Sequence, residues 1–437
     1  MQSAKDMTPF MMLRTTFVGC ATLYAALHSG LVHADRQFFD GSLRISGFGT
    51  IGINHARVDE VTPSSPGYAT PSDQSSLQYR RDTKLAVQAR YSATPTLKAV
   101  TQVMVKSTPD GDYEPVVEWA FAKWSPAPTL SFRIGRVGAP LFLVSDSREV
   151  GYTSLQVRPP IDVYGQVPVT YLDGADVSYQ FDLGGMAMTT TLFGGSASSD
   201  YATYRSVNSG TLISEFQLRN VLGGYVTLAS PSGWTARLGH AHGKISVNSS
   251  VIEQLLFVAP PGPLRDQVLG VLAVDNENTT FTSLGLTYER SPWTFSAEYT
   301  LRKAARLVPD TAGWYVMGGY RIGSLTPFVG MSRQTLKRAE SNPLAAFVGT
   351  PGPTGFIAGT VDNVLTSLRT EQRTTTLGLR WDIAPDLALK GQVESILKPA
   401  NSYGSFFRSR ADTPEDRAFY EEERRINVFS LSMDFVF

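Results

Sequence analysis

Gly47, Gly49 and Gly52 stand in the stretch "GFGTIG" at the spacing G-x-G-x-x-G. Between a strand and a helix, that spacing lets a backbone turn approach a pyrophosphate, with the helix N-terminus facing the negative charge. His240 and His242 are a second candidate. Two residues apart on a strand, they share one face, as a metal pair or proton relay would require. Beyond the first 34 residues the only other histidine is His55. A lipase or protease needs a fuller constellation. No H-E-x-x-H, no G-x-S-x-G and no metal-type cysteine spacing is present.

The surroundings decide what the glycines do. They are followed by "INHARVDEVTPSSPGYATPSD", with Pro63, Pro66 and Pro71 and no apolar period of 3.6. No helix begins there. Instead Leu43, Ile45, Gly47, Gly49, Ile51 and Ile53 alternate with Arg44, Ser46, Phe48, Thr50, Gly52 and Asn54. A period of two makes the stretch a β-strand. Its glycines then remove bulk, for local curvature or for a neighbouring subunit. By the same logic the two histidines read as rim residues of a later strand.

The 437 residues carry zero formal net charge, with 42% hydrophobic and 18% charged residues. That balance is too apolar for disorder and offers no basic footprint for nucleic acid. No apolar run beyond the first 35 residues approaches the ~18 residues of a membrane-spanning helix. Residues 1–34 read as a cleaved export signal. Arg14 precedes the apolar stretch "TTFVGCATLYAALHSGLVHA", and Val32 and Ala34 supply the small residues of a cleavage site. The mature chain is expected to begin near Asp35, with translation starting at Met1, Met11 or Met12. Cys20, the single cysteine, falls in this leader. Stability must then come from backbone pairing and packing.

Segments of about ten residues with alternating polarity recur along the rest of the chain, the pattern of transmembrane β-strands. In "TKLAVQARY", Leu85, Val87, Ala89 and Tyr91 alternate with Lys84, Gln88 and Arg90. Strands are expected over 42–57, 82–93, 96–107, 115–124, 129–137, 171–182, 185–197, 213–229, 233–245, 278–289, 292–303, 311–322, 324–336, 371–383, 386–397 and 425–437. Short connections rich in Pro, Gly and Asp alternate with long ones, the longest near 247–277, 337–372 and 398–424. The expectation is an all-β fold: a transmembrane antiparallel β-barrel of about sixteen strands, with short turns on one side and long loops on the other. An even number closes the sheet and leaves no unpaired edge in hydrocarbon. In the last strand Phe429, Leu431, Met433, Phe435 and Phe437 share one face.

On these features the chain resembles Gram-negative outer-membrane porins of the general, sixteen-stranded type. The likeness rests on the first strand "LRISGFGTIGIN", on the last strand ending at Phe437, and on the block "LSFRIGRVGAPLFLVSDSREVGYTSLQVRPPIDVYGQVPVTYLDGADVSY". The resemblance implies that 35–437 form the barrel and that Phe435 and Phe437 act as the assembly signal read by the barrel-assembly machinery. It implies a homotrimer in outer-membrane lipid and lipopolysaccharide, with no cofactor, no metal and no enzymatic activity. It also implies that 138–170, after strand five, folds inward and narrows the pore, with Asp146, Arg148, Glu149, Arg158, Asp162 and Tyr164 as loop residues.

The polar strand faces would line the lumen. They bring Arg90, Lys98, Arg133, Arg136, Arg237, Arg302, Arg321, Arg380 and Lys390 to the wall, with Glu118, Asp176 and Glu298 as the acids. A basic wall opposite an acidic loop sets a transverse field that sorts solutes by charge. The expected function is a water-filled channel for small hydrophilic solutes and ions, with a mild preference for anions or carboxylates. A substrate-specific monomeric channel, a barrel enzyme and a plugged structural barrel are the alternatives.

Overall fold

A computed structural model describes residues 36–56, 61–63, 77–109, 112–206, 210–259, 261–408 and 414–437. The expected export signal and Cys20 lie outside the described residues. The chain forms sixteen long strands. In order they are β1 Leu43–Ala56, β2 Lys84–Ser92, β3 Leu97–Ser107, β4 Tyr113–Ala127, β5 Leu130–Gly138, β6 Tyr171–Leu183, β7 Met186–Ser206 and β8 Gly210–Ala229. They continue as β9 Trp234–Ser249, β10 Glu277–Arg290, β11 Trp293–Lys303, β12 Asp310–Tyr320, β13 Leu325–Arg338, β14 Gln372–Ala384, β15 Leu387–Lys398 and β16 Arg424–Val436. Each pairs antiparallel with its neighbours, and β16 returns to β1 with Gly49 opposite Phe435 and Ile51 opposite Met433. The sheet is a closed barrel, as expected. The expected strand ranges match closely, the main departure being that β7 runs on to Ser206.

Alternation fixes the two faces. On β14, Leu377, Leu379, Trp381 and Ile383 point outward and are exposed, while Gln372, Thr374 and Thr376 point inward and are buried. Leu377 and Leu431 are each 61% exposed, too much apolar surface for a wall in contact with water. An outward apolar band on a closed barrel is the surface that a bilayer covers. Trp124 stacks on Phe132, Trp234 packs on Tyr288 and Trp293 on Tyr320, all at the short-turn ends of their strands. This is an aromatic girdle at one interface.

The long connections are not irregular throughout. The one after β5 contains the single turn α1 Ile161–Tyr164. That after β9 holds α2 Ser250–Val258 and α3 Pro263–Leu272, that after β13 holds α4 Pro353–Ser367, and that after β15 holds α5 Pro414–Glu421. Leu255, Val268, Leu272, Ile357, Val361 and Val364 form one apolar cluster with the inward-facing Phe216 and Ile245. These helices therefore cover the long-loop mouth above β8 and β9. The signal was present in the sequence: Ile357, Val361, Val364 and Leu365 lie at helical spacing behind Pro353, a good first-turn residue.

The glycines of β1 have a local reason. A Cβ on Gly47 would sit 2.3 Å from the Phe437 ring and 2.6 Å from the Ala86 carbonyl oxygen, and one on Gly49 would sit 2.5 Å from the Phe435 ring. The chain's own terminal aromatics fill the space that the sequence alone left open for curvature or a neighbouring subunit. Gly52, on the inner face, leaves room for Asp82, which a Cβ would approach to 2.5 Å. Gly47→Val should therefore impair closure between β1 and β16 by about 1–3 kcal/mol. It should reduce the fraction of protein that migrates as a folded, heat-modifiable band. Gly318→Ala, where a Cβ meets nothing within 4 Å, should leave that fraction unchanged.

Candidate functional site

The connection 139–170 lies against the inner wall. Three polar pins hold it there. At the first, Arg158 lies between wall groups: its Nε and Nη2 donate to Asp82 Oδ1 and Oδ2, both at 2.8 Å, its Nη1 donates to Glu394 Oε2 at 2.5 Å, and Nη2 also donates to Ser430 Oγ at 2.8 Å. Asn54 Nδ2 completes Asp82 at 3.0 Å. All are buried. Burial alone would lower the Arg158 pKa, but Asp82 and Glu394 raise it above its ordinary value. For Asp82 burial works the other way and is outweighed by Arg158, so its carboxyl is held below the usual range.

At the second pin Lys390 Nζ donates to the carbonyls of Gly151 and Gln156 at 2.5 and 3.0 Å and pairs with Asp434 at 3.0 Å. Beside it Arg380 Nη1 donates to the carbonyls of Tyr152 and Ser154. At the third, Glu298 accepts from the Leu143 N–H and the Tyr164 hydroxyl, both at 2.8 Å, and Arg237 donates to the carbonyls of Pro140 and Leu143. Arg302 donates to the Gln166 carbonyl. Between the pins the loop is glued by apolar contacts. Phe142 stacks on Tyr164 at 4.6 Å and meets Phe281 edge-on at 5.0 Å, and Val163 and Val167 pack with Phe193, Val221, Met317 and Phe328. The inner wall of β7 to β13 is thus greasy where the loop covers it.

Deeper in the barrel Phe48, Ala86 and Met104 are buried with Val150 of the loop against them, but toward the short turns the inner faces of β1 to β5 stay open and carry a basic row. Arg44 stands opposite Arg90, Lys98 opposite Lys123, and Lys123 opposite Arg133. Arg133 is paired with Asp176 at 2.7 Å. Arg90, Lys98 and Lys123 have no acidic partner among the described residues. Like charges directly opposite on a sheet cost free energy unless a counter-charge visits. On the loop, Asp146 is exposed and within electrostatic reach of Arg133. Burial would raise the Glu149 carboxyl, but Lys84, Lys106 and Arg148 hold it well below the usual range, with Lys84 at 2.8 Å. Toward the long-loop side a hollow of about 340 Å³ opens beside Lys106, Glu114, Glu118, Arg148 and Asp200.

Several expected pore-lining positions have other places. Arg237, Glu298, Arg302, Arg380 and Lys390 lie under the loop and hold it, and so they do not face an open lumen. Among the loop residues, Arg158, Asp162 and Tyr164 are buried against the wall and Asp146 faces the open side. Arg136 is a correction. Its register opposite Ala120 and Asp173 puts it on the outward face, where it pairs with Asp173 at 2.7 Å and lies 3.8 Å from the Tyr171 ring centroid. Arg321 follows the end of β12, at the short-turn rim, 3.5 Å from Asp382. Glu118 is inward and pairs with Lys106 at 2.5 Å. Lys123 escaped the sequence reading because a bulge near Val117 shifts the alternation of β4, so Glu118 and Lys123 both reach the inside. His240 and His242 alternate with the buried Arg237, Gly239 and Ala241, so they lie on the outward face of β9, with His240 Nδ1 2.8 Å from Thr282 Oγ1. Among the described residues no cluster suits a metal ion.

Replacing Arg158 by alanine would leave Asp82 and Glu394 buried and unpaired, at a cost of about 3–5 kcal/mol. The variant should unfold at lower temperature, and its loop should be cut by protease faster than in the wild type. Asp162 gives a pH test. Burial pushes its carboxyl up to about 6, against a hydrogen bond donated by Ser332 Oγ at 2.6 Å. A raised carboxyl pKa stabilises the fold at acid pH, and that contribution is lost as pH rises through about 6. Asp162→Asn should therefore be more heat-stable than wild type at pH 8, and the difference should vanish near pH 4.

No family model and no curated protein matches the sequence. Solved structures do match in fold. The outer membrane channel DcaP of Acinetobacter baumannii superposes with a TM-score of 0.52 at 9% identity, over 93% of this chain and 100% of that one. OmpF of Salmonella typhi, in complex with daunomycin, superposes with a TM-score of 0.51 at 11% identity, over 92% of this chain and 100% of the other. The chain thus has the fold of the outer-membrane porins, a closed antiparallel barrel of sixteen strands.

Proposed function

We propose that this protein is an outer-membrane channel that passes small hydrophilic solutes by diffusion and favours anions, carboxylates among them. The observation that carries this reading is the row Arg90, Lys98 and Lys123, without acidic partners among the described residues, on the stretch of inner wall that the 139–170 loop leaves open. Fixed positive charge in a narrow low-dielectric passage raises the local concentration of anions and repels cations. The loop supplies the narrowing. Its three pins and apolar underside make it a second layer of wall and hold it at a set depth. Asp146 facing Arg133 adds a field across the passage, which orients dipolar solutes. On the same reading the protein is exported with its leader removed near Asp35. It is inserted through the strand ending at Phe437 and assembles as a homotrimer in the outer membrane.

The helical layer over β8 and β9 favours a second reading, a narrower channel selective for one solute class. Single-channel recording separates the two, since a general channel gives large ohmic steps and a selective one small steps blocked by its solute. The charge claim has its own test. In a potassium chloride gradient the reversal potential should show anion preference. Lys98→Gln with Lys123→Gln should reduce the anion-to-cation permeability ratio severalfold, most strongly at low salt, where screening is weak. A cation-selective wild type would refute the anion assignment.

A further inference from the structure

One inward cation stands apart from the open passage. Arg302 on β11 is in register with Phe281 on β10 and Thr311 on β12, beneath the 139–170 loop. Its Nη1 donates to the Gln166 carbonyl and its Nη2 to the Pro309 carbonyl, the latter at 3.0 Å. Its Nε is buried and has no acceptor among the described residues. Nor does Arg302 form an ion pair among them. Two acids of the same and the next strand are already taken. Asp310 accepts from Arg338 and the Ala304 N–H, and Glu298 from the Leu143 N–H and the Tyr164 hydroxyl. A guanidinium out of water is costly without a counter-charge.

Two hollows of about 70 Å³ each adjoin this guanidinium. The first lies between the loop and the wall, and Leu172, Phe193, Val221, Ala241 and Phe281 give it an apolar lining. The second has a polar lining from Tyr201, Gln334, Ser367, Thr370 and Ser405. Gln166, Pro168, Phe216, Arg302 and Val308 line both, so Arg302 stands where the two meet. The Tyr201 hydroxyl has no hydrogen-bond partner among the described residues and lies within electrostatic reach of Arg302. An apolar chamber, an uncompensated cation and a free hydroxyl donor therefore stand side by side. A chamber of the first kind stays dry and takes an alkyl or aryl group. The cation and the hydroxyl suit a head that accepts hydrogen bonds and carries one negative charge. A carboxylate does both, and its oxygens take the donors of arginine in pairs. A dianion would leave a charge buried and unbalanced.

We propose that the two hollows around Arg302 form one binding site for an amphiphilic monocarboxylate, an acid with a short apolar tail. The tail lies in the first hollow among Phe193, Val221 and Phe281, and the carboxylate lies between the Arg302 guanidinium and the Tyr201 hydroxyl. This ligand differs in place and in class from the hydrophilic solutes of the open passage. It is held on the packed side of the lumen, away from Arg90, Lys98 and Lys123. It supplies the counter-charge that Arg302 lacks, and so it tightens the loop on the wall at Gln166. The site rests on the barrel and its loop, not on any conductance or ion preference.

The test uses the full-length protein in detergent and three probes: hexanoate, acetate with the head alone, and hexan-1-ol with the tail alone. Binding is read by titration calorimetry and by the rise in unfolding temperature. The wild type should bind hexanoate at least about tenfold more tightly than either of the others. Ala241→Leu, which fills the apolar hollow, should weaken hexanoate about tenfold and leave acetate unchanged. Tyr201→Phe should weaken hexanoate severalfold and leave hexan-1-ol unchanged. Arg302→Gln should abolish the preference for hexanoate over hexan-1-ol. Because Arg302 also holds the loop, the Ala241 and Tyr201 variants carry the test if that protein does not fold. Folding is checked by heat-modifiable mobility, and the conductance of Ala241→Leu and Tyr201→Phe should equal that of the wild type. Lys98→Gln with Lys123→Gln should bind hexanoate as the wild type does. Absence of hexanoate binding, or equal affinity for hexanoate and acetate, would overturn the proposal. So would undiminished hexanoate binding in both Ala241→Leu and Tyr201→Phe. Loss of hexanoate binding in the double lysine variant would move the ligand to the open row and overturn it as well.

Discussion

The placement of Arg158 governs the inside of this barrel. A guanidinium taken out of water costs several kcal/mol, and it is tolerated only where its donors are matched. Here the matching groups come from three places far apart in sequence: Asp82 before β2, Glu394 on β15 and Ser430 on β16. Only the closed barrel brings them together. Once Arg158 is fixed, the chain on either side has little freedom. Gly151 and Gln156 fall within reach of Lys390, and Asp162 falls under Ser332. The depth of the loop in the lumen follows from this charge cluster, and from that depth follows which part of the wall stays open.

The rest of the interior is divided between grease and charge. From β7 to β13 the inner wall offers Phe193, Val221, Phe281, Met317 and Phe328, which a water-filled passage would leave exposed at a cost. The loop covers them with Phe142, Val163, Tyr164 and Val167. Above it, α2, α3 and α4 seal a second apolar cluster. On the opposite wall the loop's Val150 packs on Phe48, Ala86 and Met104, while the short-turn ends of β1 to β4 keep Arg44, Arg90, Lys98 and Lys123 toward the open side. An asymmetric lumen results, with one side packed like a protein core and the other polar and basic.

The stretch "GFGTIG" shows how one run of residues can serve two faces. Gly47 and Gly49 clear the outer face for Phe437 and Phe435, which close the barrel, while Gly52 clears the inner face for Asp82, which holds Arg158. The spacing that resembles a phosphate-binding turn arises because the strand must leave space twice on one side and once on the other. Closure of the barrel and anchoring of the loop thus meet on a single strand.

Sequence alone determined the fold. Alternation of period two, short turns against long loops and a last strand of aromatics specify sixteen strands because each signal is local, written in residues that neighbour one another in the chain. It also marked Arg90, Lys98 and Arg133 as inward, since parity along a regular strand decides a face. It failed where parity breaks or where the partner is remote. The bulge near Val117 turned Lys123 inward, whereas Arg136, three residues from the inward Arg133 on a regular strand, is put outward by parity itself, which the sequence reading had not applied to it. That Arg237, Glu298 and Lys390 bind a loop, and do not face solute, was decided by the tertiary structure. Their partners lie about 90 to 240 residues away in sequence and become neighbours only when the sheet closes and the loop enters it.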